Sequence, residues 1–484
     1  MKIAIVAAEI GPHAKVGGLA DVVRALSQAL KHAGADPLII VPGYKVLLEK
    51  LAVEPFAEDQ VMMFGSGREH FRILRAEAMS GVPLYLIDHP GFFGREGIYG
   101  DKNGDYPDNF QRFIFFGRAA ATTAAMLHPD ILHAHDWHAA AAPIVMRADA
   151  AIRSQFVATS SFFTIHNLAF QGIGDREIFP LLGIDESWFS ITGLEYFGRV
   201  NLLKGAIVLA DAVSTVSPAY AVEIAHSPEL GFGLDGVLRS RGERFVGILN
   251  GADYDEWNPS TDRLISTRYS PDRRNAKKAC LYDLREEMKL PHRRTTPIIA
   301  MITRMTAQKG VDLLAAALDP LVALDVQVVM LANGDPQLEQ SFKAAEARYP
   351  DNFRVNLDFD NALAHRIQAG SDMFMMPSRF EPCGLTQMYA LKYGNAPIVH
   401  ATGGLRDTVS EFDPISGRGN GFVFEQFQPE ALVAATARAV NTFRSPALWR
   451  QLMDNCFKAD FSWSNATSEY MDWFSRIHSQ RTSG

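Results

Sequence analysis

Two doubly wound α/β domains, each Rossmann-like, are what this sequence predicts, and three observations carry the prediction. A strand, a glycine loop, a helix and a second strand follow one another within residues 2–41. The same order restarts after residue 290. The apolar runs in both halves lack strict alternation, as expected of parallel sheets covered on both faces. In the first half, residues 2–8 read as a buried strand and residues 13–18, His-Ala-Lys-Val-Gly-Gly, as its loop. Leu19, Val22, Val23, Leu26, Ala29, Leu30 and Ala33 recur at spacings of three and four and give one apolar helix face. Asp21 lies in the first turn and Gly34 just past the end, as helix polarity prefers. Residues 37–41 form the next strand, so the unit is a right-handed parallel crossover. In the second half, 297–302 reads as a strand, 303–310 as a loop, and 311–318 as the start of a helix. Strands at 326–331, 372–376 and 397–400 then alternate with helical stretches over 336–348, 361–369 and 384–393.

The domains are therefore placed at residues 1–250 and 251–455, with a join and hinge near 245–260 and ligands in a cleft between the domains. A helical tail, 456–484, is expected to pack back on the first domain, and the basic, poorly patterned segment 262–296 reads as a surface excursion. A chain of 484 residues is too long for one ordinary core. Its apolar fraction of 47% and charged fraction of 21% are those of a globular protein. A net charge of −8 argues against a general nucleic-acid binder, though not against one small anionic substrate held by local cations. Three scattered cysteines, Cys280, Cys383 and Cys456, form no disulfide framework, which suits a reducing, cytoplasmic setting. Glu9 interrupts the first apolar run too early for a signal peptide, and no run approaches the roughly 18 apolar residues of a membrane span.

The chemistry gathers at strand-end loops. Residues 377–387, Pro-Ser-Arg-Phe-Glu-Pro-Cys-Gly-Leu-Thr-Gln, follow an apolar strand and lead into a helix, which puts the carboxylate of Glu381 on a strand-to-helix turn. The unpaired amides of such a turn face phosphate, and a carboxylate there can accept hydrogen bonds from ribose hydroxyls; the rival role for Glu381 is a helix N-cap. Lys15, Gly17 and Gly18 form a turn that allows close backbone approach at a helix N-terminus, although they match neither GxGxxG nor a P-loop. Arg304 and Lys309 bracket the corresponding loop of the second half, where two cations would clamp a diphosphate leaving group. Thr402, Gly403 and Gly404 make another strand-end turn. His133, His135, Asp136 and His138, with His166 and Asn167, line one rim of the first sheet. A His-x-His at a strand end also opens the zinc site of barrel hydrolases, but later ligands are lacking. Asp136 could instead cap the helix that follows it.

In order and spacing these motifs resemble the glycogen/starch synthase family over nearly the whole chain. The resemblance includes Lys-x-Gly-Gly-Leu at 15–19, Asp-Tyr-Pro-Asp-Asn at 105–109, His-Asp-Trp at 135–137 and Thr-Ile-His-Asn at 164–167. It continues through Phe170, Gln171 and Gly172, Ser-Thr-Val-Ser-Pro at 214–218, Asn250 and Gly251, and Arg304 with Gln308, Lys309 and Gly310. The stretch 377–387 and Thr-Gly-Gly-Leu at 402–405 complete it. The resemblance implies GT-B architecture and transfer of glucose, with retention, from ADP-glucose to the non-reducing 4-hydroxyl of an α-1,4-glucan or glycogen primer, without a metal or other cofactor. It also implies roles. Arg304 and Lys309 would neutralise the diphosphate, with Lys15, Gly17 and Gly18 meeting it from the other domain. Glu381 would hold the ribose, and the backbone of Cys383, Gly384, Leu385 and Thr386 would lie near the phosphates and donor glucose. His166, beside Asn167, would contact that glucose, and Asp136 would line the acceptor side.

Two positions depart from the broader pattern. Tyr389 stands where related retaining transferases carry a second carboxylate, and Asn333 stands where a smaller residue is expected. Nothing in the composition separates adenine from uracil, so UDP-glucose stays a rival donor. A glucan phosphorylase would need a pyridoxal-phosphate lysine motif that is absent, and a purely glucan-binding protein would not need the intact cations.

Overall fold

The computed structural model describes residues 1–78, 81–358 and 360–482. It divides the chain into two compact units, Met1–Gly251 with Trp463–Gly484, and Ala252–Ser462. The chain returns to the first unit at Trp463, later than residue 456, because the helix Pro446–Lys458 runs unbroken with Leu452 and Cys456 in the core of the second unit. Helix Trp463–Thr482 then buries Trp463, Tyr470, Phe474 and Ile477 in the first core.

In the first unit a nine-stranded sheet is centred on strand Lys2–Val6. To one side lie Asp36–Pro42 and Pro83–Asp88; to the other lie Ile131–His135, Ser160–Ile165, Ala212–Thr215 and Phe245–Gly247, all parallel. An antiparallel hairpin, Glu54–Phe64 with Gly67–Glu77, extends one edge. The helix Gly18–His32 buries Leu19, Val22, Val23, Leu26 and Leu30, and also Ala20 and Ala25. Ala33 is exposed as the C-cap and not part of that face, because the helix has already ended.

The second unit holds a six-stranded parallel sheet in the order Phe353–Asn356, Gln327–Gly334, Ile298–Met305, Met373–Met376, Ala396–His400, Phe422–Phe424. Numbered within the unit, that is 3-2-1-4-5-6, the doubly wound order, and the parallel strands of the first unit follow the same rule. In such sheets the crevice forms where the winding reverses, outside the carboxyl ends of strands one and four. Those ends are Val6 and His135 in the first unit, and Met305 and Met376 in the second. The barrel reading of the His-x-His motif is thereby excluded, since both sheets are open.

Segment 262–296 is no surface excursion. Its helix Lys277–Glu287 buries Lys277, Cys280, Leu284 and Arg285. The Lys277 Nζ donates to the carbonyls of Ala369 (2.9 Å) and Tyr393 (3.1 Å) and to Asn395 Oδ1 (2.7 Å). Ala369 and Tyr393 end the helices Asn361–Ala369 and Thr386–Lys392, so one cation serves two helix C-termini, where the dipoles favour it. Basic residues in an unpatterned stretch look solvated in sequence; here one of them is needed inside. Burial lowers the Lys277 ammonium to about 8. Lys277→Met should therefore leave Asn395 Oδ1 without its donor and the two carbonyls with only the Tyr269 hydroxyl to share, and destabilise the second unit by roughly 2–4 kcal/mol. Hydrogen exchange would show it as early loss of amide protection in the helix Thr386–Lys392.

Candidate active site

In the second unit, strand Ile298–Met305 runs three residues past the end expected at 302 and so carries Arg304 near its carboxyl end, on the strand and not in the loop. Arg304 is exposed, its guanidinium makes no hydrogen bond or ion pair among the described residues, and it lies in register with Asn333 of the neighbouring strand. The chain then turns through Ala307–Lys309 to Gly310, whose φ of 65° is left-handed. A Cβ at Gly310 would lie 1.9 Å from the Pro377 carbonyl oxygen, so only glycine lets this loop close on the next one.

That closure places Lys309 Nζ 2.7 and 3.0 Å from the two carboxylate oxygens of Glu381. Ser378 Oγ donates to Oε2 of the same carboxylate at 3.0 Å, and Glu381 is only 5% exposed. Glu381 is thus a buried, ion-paired group and not a helix cap; the helix Thr386–Lys392 starts later and has no side-chain cap. The turn is braced further. Gln387 Nε2 donates to the carbonyls of Cys383 (3.1 Å) and Gly384 (2.9 Å) and to Thr408 Oγ1 (3.2 Å). His400 Nδ1 meets the Ser378 carbonyl at 2.8 Å, as a donor. Thr402 stands at the N-cap of helix Gly403–Thr408, and Gly404 N donates to the Glu381 carbonyl at 3.0 Å. A Cβ on Gly403 would lie 2.0 Å from that carbonyl oxygen, and one on Gly404 would lie 2.1 Å from the Cys383 oxygen. Gly384, Leu385 and Thr386 remain partly exposed, whereas Cys383 is buried. Lys309, Glu381, Cys383, Gly384, Gly403 and Gly404 thus converge beside the winding reversal, with Arg304 at its edge.

In the first unit the glycine turn is organised by a residue that sequence reading used only to reject a signal peptide. Glu9 Oε2 accepts from the amides of Val16 (2.7 Å) and Gly17 (2.9 Å), and Oε1 accepts from Tyr99 O–H at 2.6 Å. Glu9 thus occupies those two amides, and they are not open to an anion. Gly17 is extended with open space around a notional Cβ, and Gly18 begins the helix. Its absence of a side chain therefore leaves room and relieves no strain. Lys15, 39% exposed, pairs with Asp21 at 2.7 Å.

His133 and His135 lie within strand Ile131–His135, two positions apart and so on one face. Asp136 follows with a left-handed φ of 58°. This unusual conformation turns its carboxylate away from the helix Asp136–Ala139, which has no side-chain cap. Oδ1 instead accepts from the amide of His166 at 2.7 Å, and the carboxylate also accepts from the amide of Asn167. His166 Nε2 lies 2.9 Å from His135 Nδ1, and Asn167 Oδ1 accepts from the Ala169 amide at 3.1 Å. Burial lowers His166 to about 3 and holds His135 well below the usual imidazole range, so both rings are neutral. Burial, with the Glu9 charge adding to it, raises Asp136 to about 7 against the pull of the two amides. Among the described residues no three His, Cys, Asp or Glu side chains gather as a metal site would require.

Comparison with known proteins bears on this geometry. A family model described as starch synthase catalytic domain matches residues 2–240, and one described as glycosyl transferases group 1 matches residues 284–449. Glycogen synthase of Koribacter versatilis is 42% identical over 475 residues, 97% of each chain. Glycogen synthase 2 of Geobacter sulfurreducens is 40% identical, again over 97% of each. The catalytic domain of starch synthase IV from Arabidopsis thaliana, solved bound to ADP and acarbose, superposes with a TM-score of 0.90 at 33% identity, covering 99% of both chains. Sucrose-phosphate synthase from Thermosynechococcus elongatus, at 18% identity and TM-score 0.61, shares the fold. Fold and matches define a glycosyltransferase of GT-B architecture. More narrowly, the chain belongs to the glycogen/starch synthase family.

Two outcomes follow from the geometry. Gly404→Ala should drive the turn at 381–384 off its carbonyl contacts and reduce transferase activity at least tenfold, with a destabilisation of roughly 1–3 kcal/mol in thermal unfolding. For Asp136, the folded chain holds a proton between its ordinary 3.8 and about 7 that the unfolded chain releases, so its contribution to stability declines as pH rises through that window. Its ionised form anchors His166, so activity should fall as pH drops below about 7. Asp136→Asn keeps an acceptor oxygen but cannot titrate, and its pH–rate profile should lose that acid limb.

Proposed function

We propose that this enzyme transfers glucose, with retention, from ADP-glucose to the non-reducing 4-hydroxyl of an α-1,4-glucan such as a glycogen primer. The observation that carries the reading is the cation and carboxylate arrangement at the winding reversal of the second unit. Lys309 is held by Glu381, and Arg304 projects from the same strand end with no protein partner among the described residues. Two cations at such a place suit a diphosphate that gains charge as it leaves. The Arabidopsis relative bound ADP, which supports adenine over uracil in the donor.

In this reading Arg304 and Lys309 take the diphosphate, with the backbone of Cys383, Gly384, Leu385 and Thr386 and the turn at Thr402, Gly403 and Gly404 alongside. Lys15 with Gly17 and Gly18 contributes from the first unit; its exposed pair with Asp21 is weak enough to exchange for phosphate. A carboxylate has about four acceptor sites; Lys309 and Ser378 use three of those on Glu381, and one on Oε1 is left for a ribose hydroxyl. His166, beside Asn167, contacts the donor glucose. Asp136 acts by fixing the main chain of His166 on the acceptor side.

The bond from C1 to the diphosphate oxygen breaks as the bond from C1 to the acceptor O4 forms on the same face. The acceptor's hydroxyl proton passes to the leaving phosphate oxygen. Neither carboxylate is a free nucleophile, because protein donors occupy both. No cofactor or metal enters these steps, and no nucleic acid or membrane is a partner; no helix is long and apolar enough to cross a membrane among the described residues. The setting is cytoplasmic, where nucleotide sugars are made.

The test is glucose incorporation into glycogen by purified protein, with ADP-glucose and UDP-glucose side by side and Arg304→Ala as the control. Arg304 has no structural partner, so its loss should leave the melting temperature unchanged and cut kcat by roughly 10²–10³. Transfer from UDP-glucose alone would overturn the donor assignment, and undiminished turnover in the variant would overturn the leaving-group role.

A further inference from the structure

We propose that His135 is a positioning residue that fixes the tautomer of His166: its Nδ1–H donates to His166 Nε2, so that His166 presents an N–H at Nδ1 to the substrate. The inference rests on the role given above to His166 and deepens it. The contact is 2.9 Å between two neutral rings, each with one donor and one acceptor nitrogen, so one ring must give the proton and the other receive it.

The surroundings of His135 decide which. The ring is 0% exposed, and its Nε2 has no hydrogen-bond partner among the described residues. A proton on Nε2 would be a buried N–H with nothing to accept it, whereas a bare Nε2 leaves only an unused lone pair. The proton therefore belongs on Nδ1, aimed at His166. His133, on the same strand face with its ring centroid 4.1 Å from that of His135, obeys the same rule. Its Nδ1 is buried without a partner, and its Nε2 meets Thr164 Oγ1 at 2.7 Å, so its proton sits on Nε2 and donates to that hydroxyl. Thr164 in turn lies 2.8 Å from Ser214 Oγ.

With Nε2 of His166 accepting from His135, the proton of the His166 ring can only be on Nδ1. The hydrogen bond made by one ring nitrogen settles the state of the other. Asp136 holds the main chain of His166 and His135 holds its ring, so consecutive residues fix both the backbone and the side chain of one residue. The ligand atom that meets His166 is consequently an acceptor, such as a sugar hydroxyl oxygen. An ammonium or amide N–H in that place would be rejected.

Neutron diffraction from deuterated crystals near neutral pD reads the assignment directly. Deuterium is expected on Nδ1 of both His135 and His166, and deuterium on His166 Nε2 would overturn the proposal. Three substitutions test the consequence. His135→Asn restores an N–H donor close to the Nδ1 position and should keep most of the rate. His135→Asp, of nearly the same size, offers an acceptor in its place, and His135→Phe offers neither. Both should lose roughly tenfold to a hundredfold in kcat with little change in KM for the donor. Because Asp also brings a charge to a fully buried position, the three variants are compared by kcat of the folded enzyme beside their melting temperatures. A purely structural role would move the melting temperature and leave kcat equal, so equal kcat for Asn and Asp, or a wild-type rate for Phe, defeats the inference. Absence of glucosyl transfer by the unmodified enzyme would instead count against the proposed function, leaving the neutron result to stand or fall alone.

Discussion

The pair between Lys309 and Glu381 is the constraint on which the second unit's site depends. A carboxylate 5% exposed cannot stay charged without partners, and here its partner comes from a different strand-end loop. The ion pair therefore ties the loop after strand Ile298–Met305 to the loop after strand Met373–Met376 across the winding reversal. The glycines around it follow from that tie. Gly310 must clear the Pro377 oxygen for Lys309 to arrive, and Gly403 and Gly404 must clear the oxygens of Glu381 and Cys383. Taking away Lys309 would strand a buried carboxylate as well as a cation, so a stability loss would blur any kinetic reading. The Arg304 side chain is free of that entanglement among the described residues, so a kinetic effect of its removal would not be blurred by a loss of stability.

The first unit solves a similar problem with carboxylates and amides. Glu9 gathers the amides of Val16 and Gly17, and Asp136 gathers those of His166 and Asn167. Both act from inside as an anion would, and each pins a loop that has no regular secondary structure to satisfy it. The cost falls on Asp136, whose burial raises it to about 7 and whose backbone adopts a left-handed turn. Strain and a displaced titration at one residue mark a place where position matters more than stability.

Sequence made the scaffold legible because parallel crossovers leave a period in the chain: apolar run, glycine, helix face, apolar run. The loops bearing Lys15, Asp136, Arg304 and Glu381 could be located from that alone; the strand order, and with it the winding reversals, is set by pairings between distant segments. Partnerships could not. Nothing local in Arg-Met-Thr-Ala-Gln-Lys says that Lys309 will face a carboxylate whose position is 72 residues away. Lys277 looked solvated because its acceptors, the ends of two helices, are assembled only by the tertiary fold. Glu9 was visible as an interruption of an apolar strand, and a buried acid at a strand end was the signal that it holds a loop.

These partnerships bear on how a retaining transfer can proceed. A double displacement needs a carboxylate with an oxygen free to attack the sugar carbon and room to approach it. Asp136 spends an oxygen on the amide of His166, and losing that bond would release the residue proposed to contact the sugar. Glu381 spends both oxygens on Lys309, and attack through either would uncouple the cation proposed to steady the leaving group. The fold commits its two best carboxylates to holding other groups still. What the second unit leaves unspent are donors, the Arg304 guanidinium and the third N–H of Lys309; what the first leaves is a neutral imidazole, His166. Those groups cannot make a covalent intermediate with an anomeric carbon, but they stabilise charge that moves onto a departing diphosphate. A same-face displacement, in which the diphosphate itself takes the acceptor's proton, is the route such a set of groups can serve.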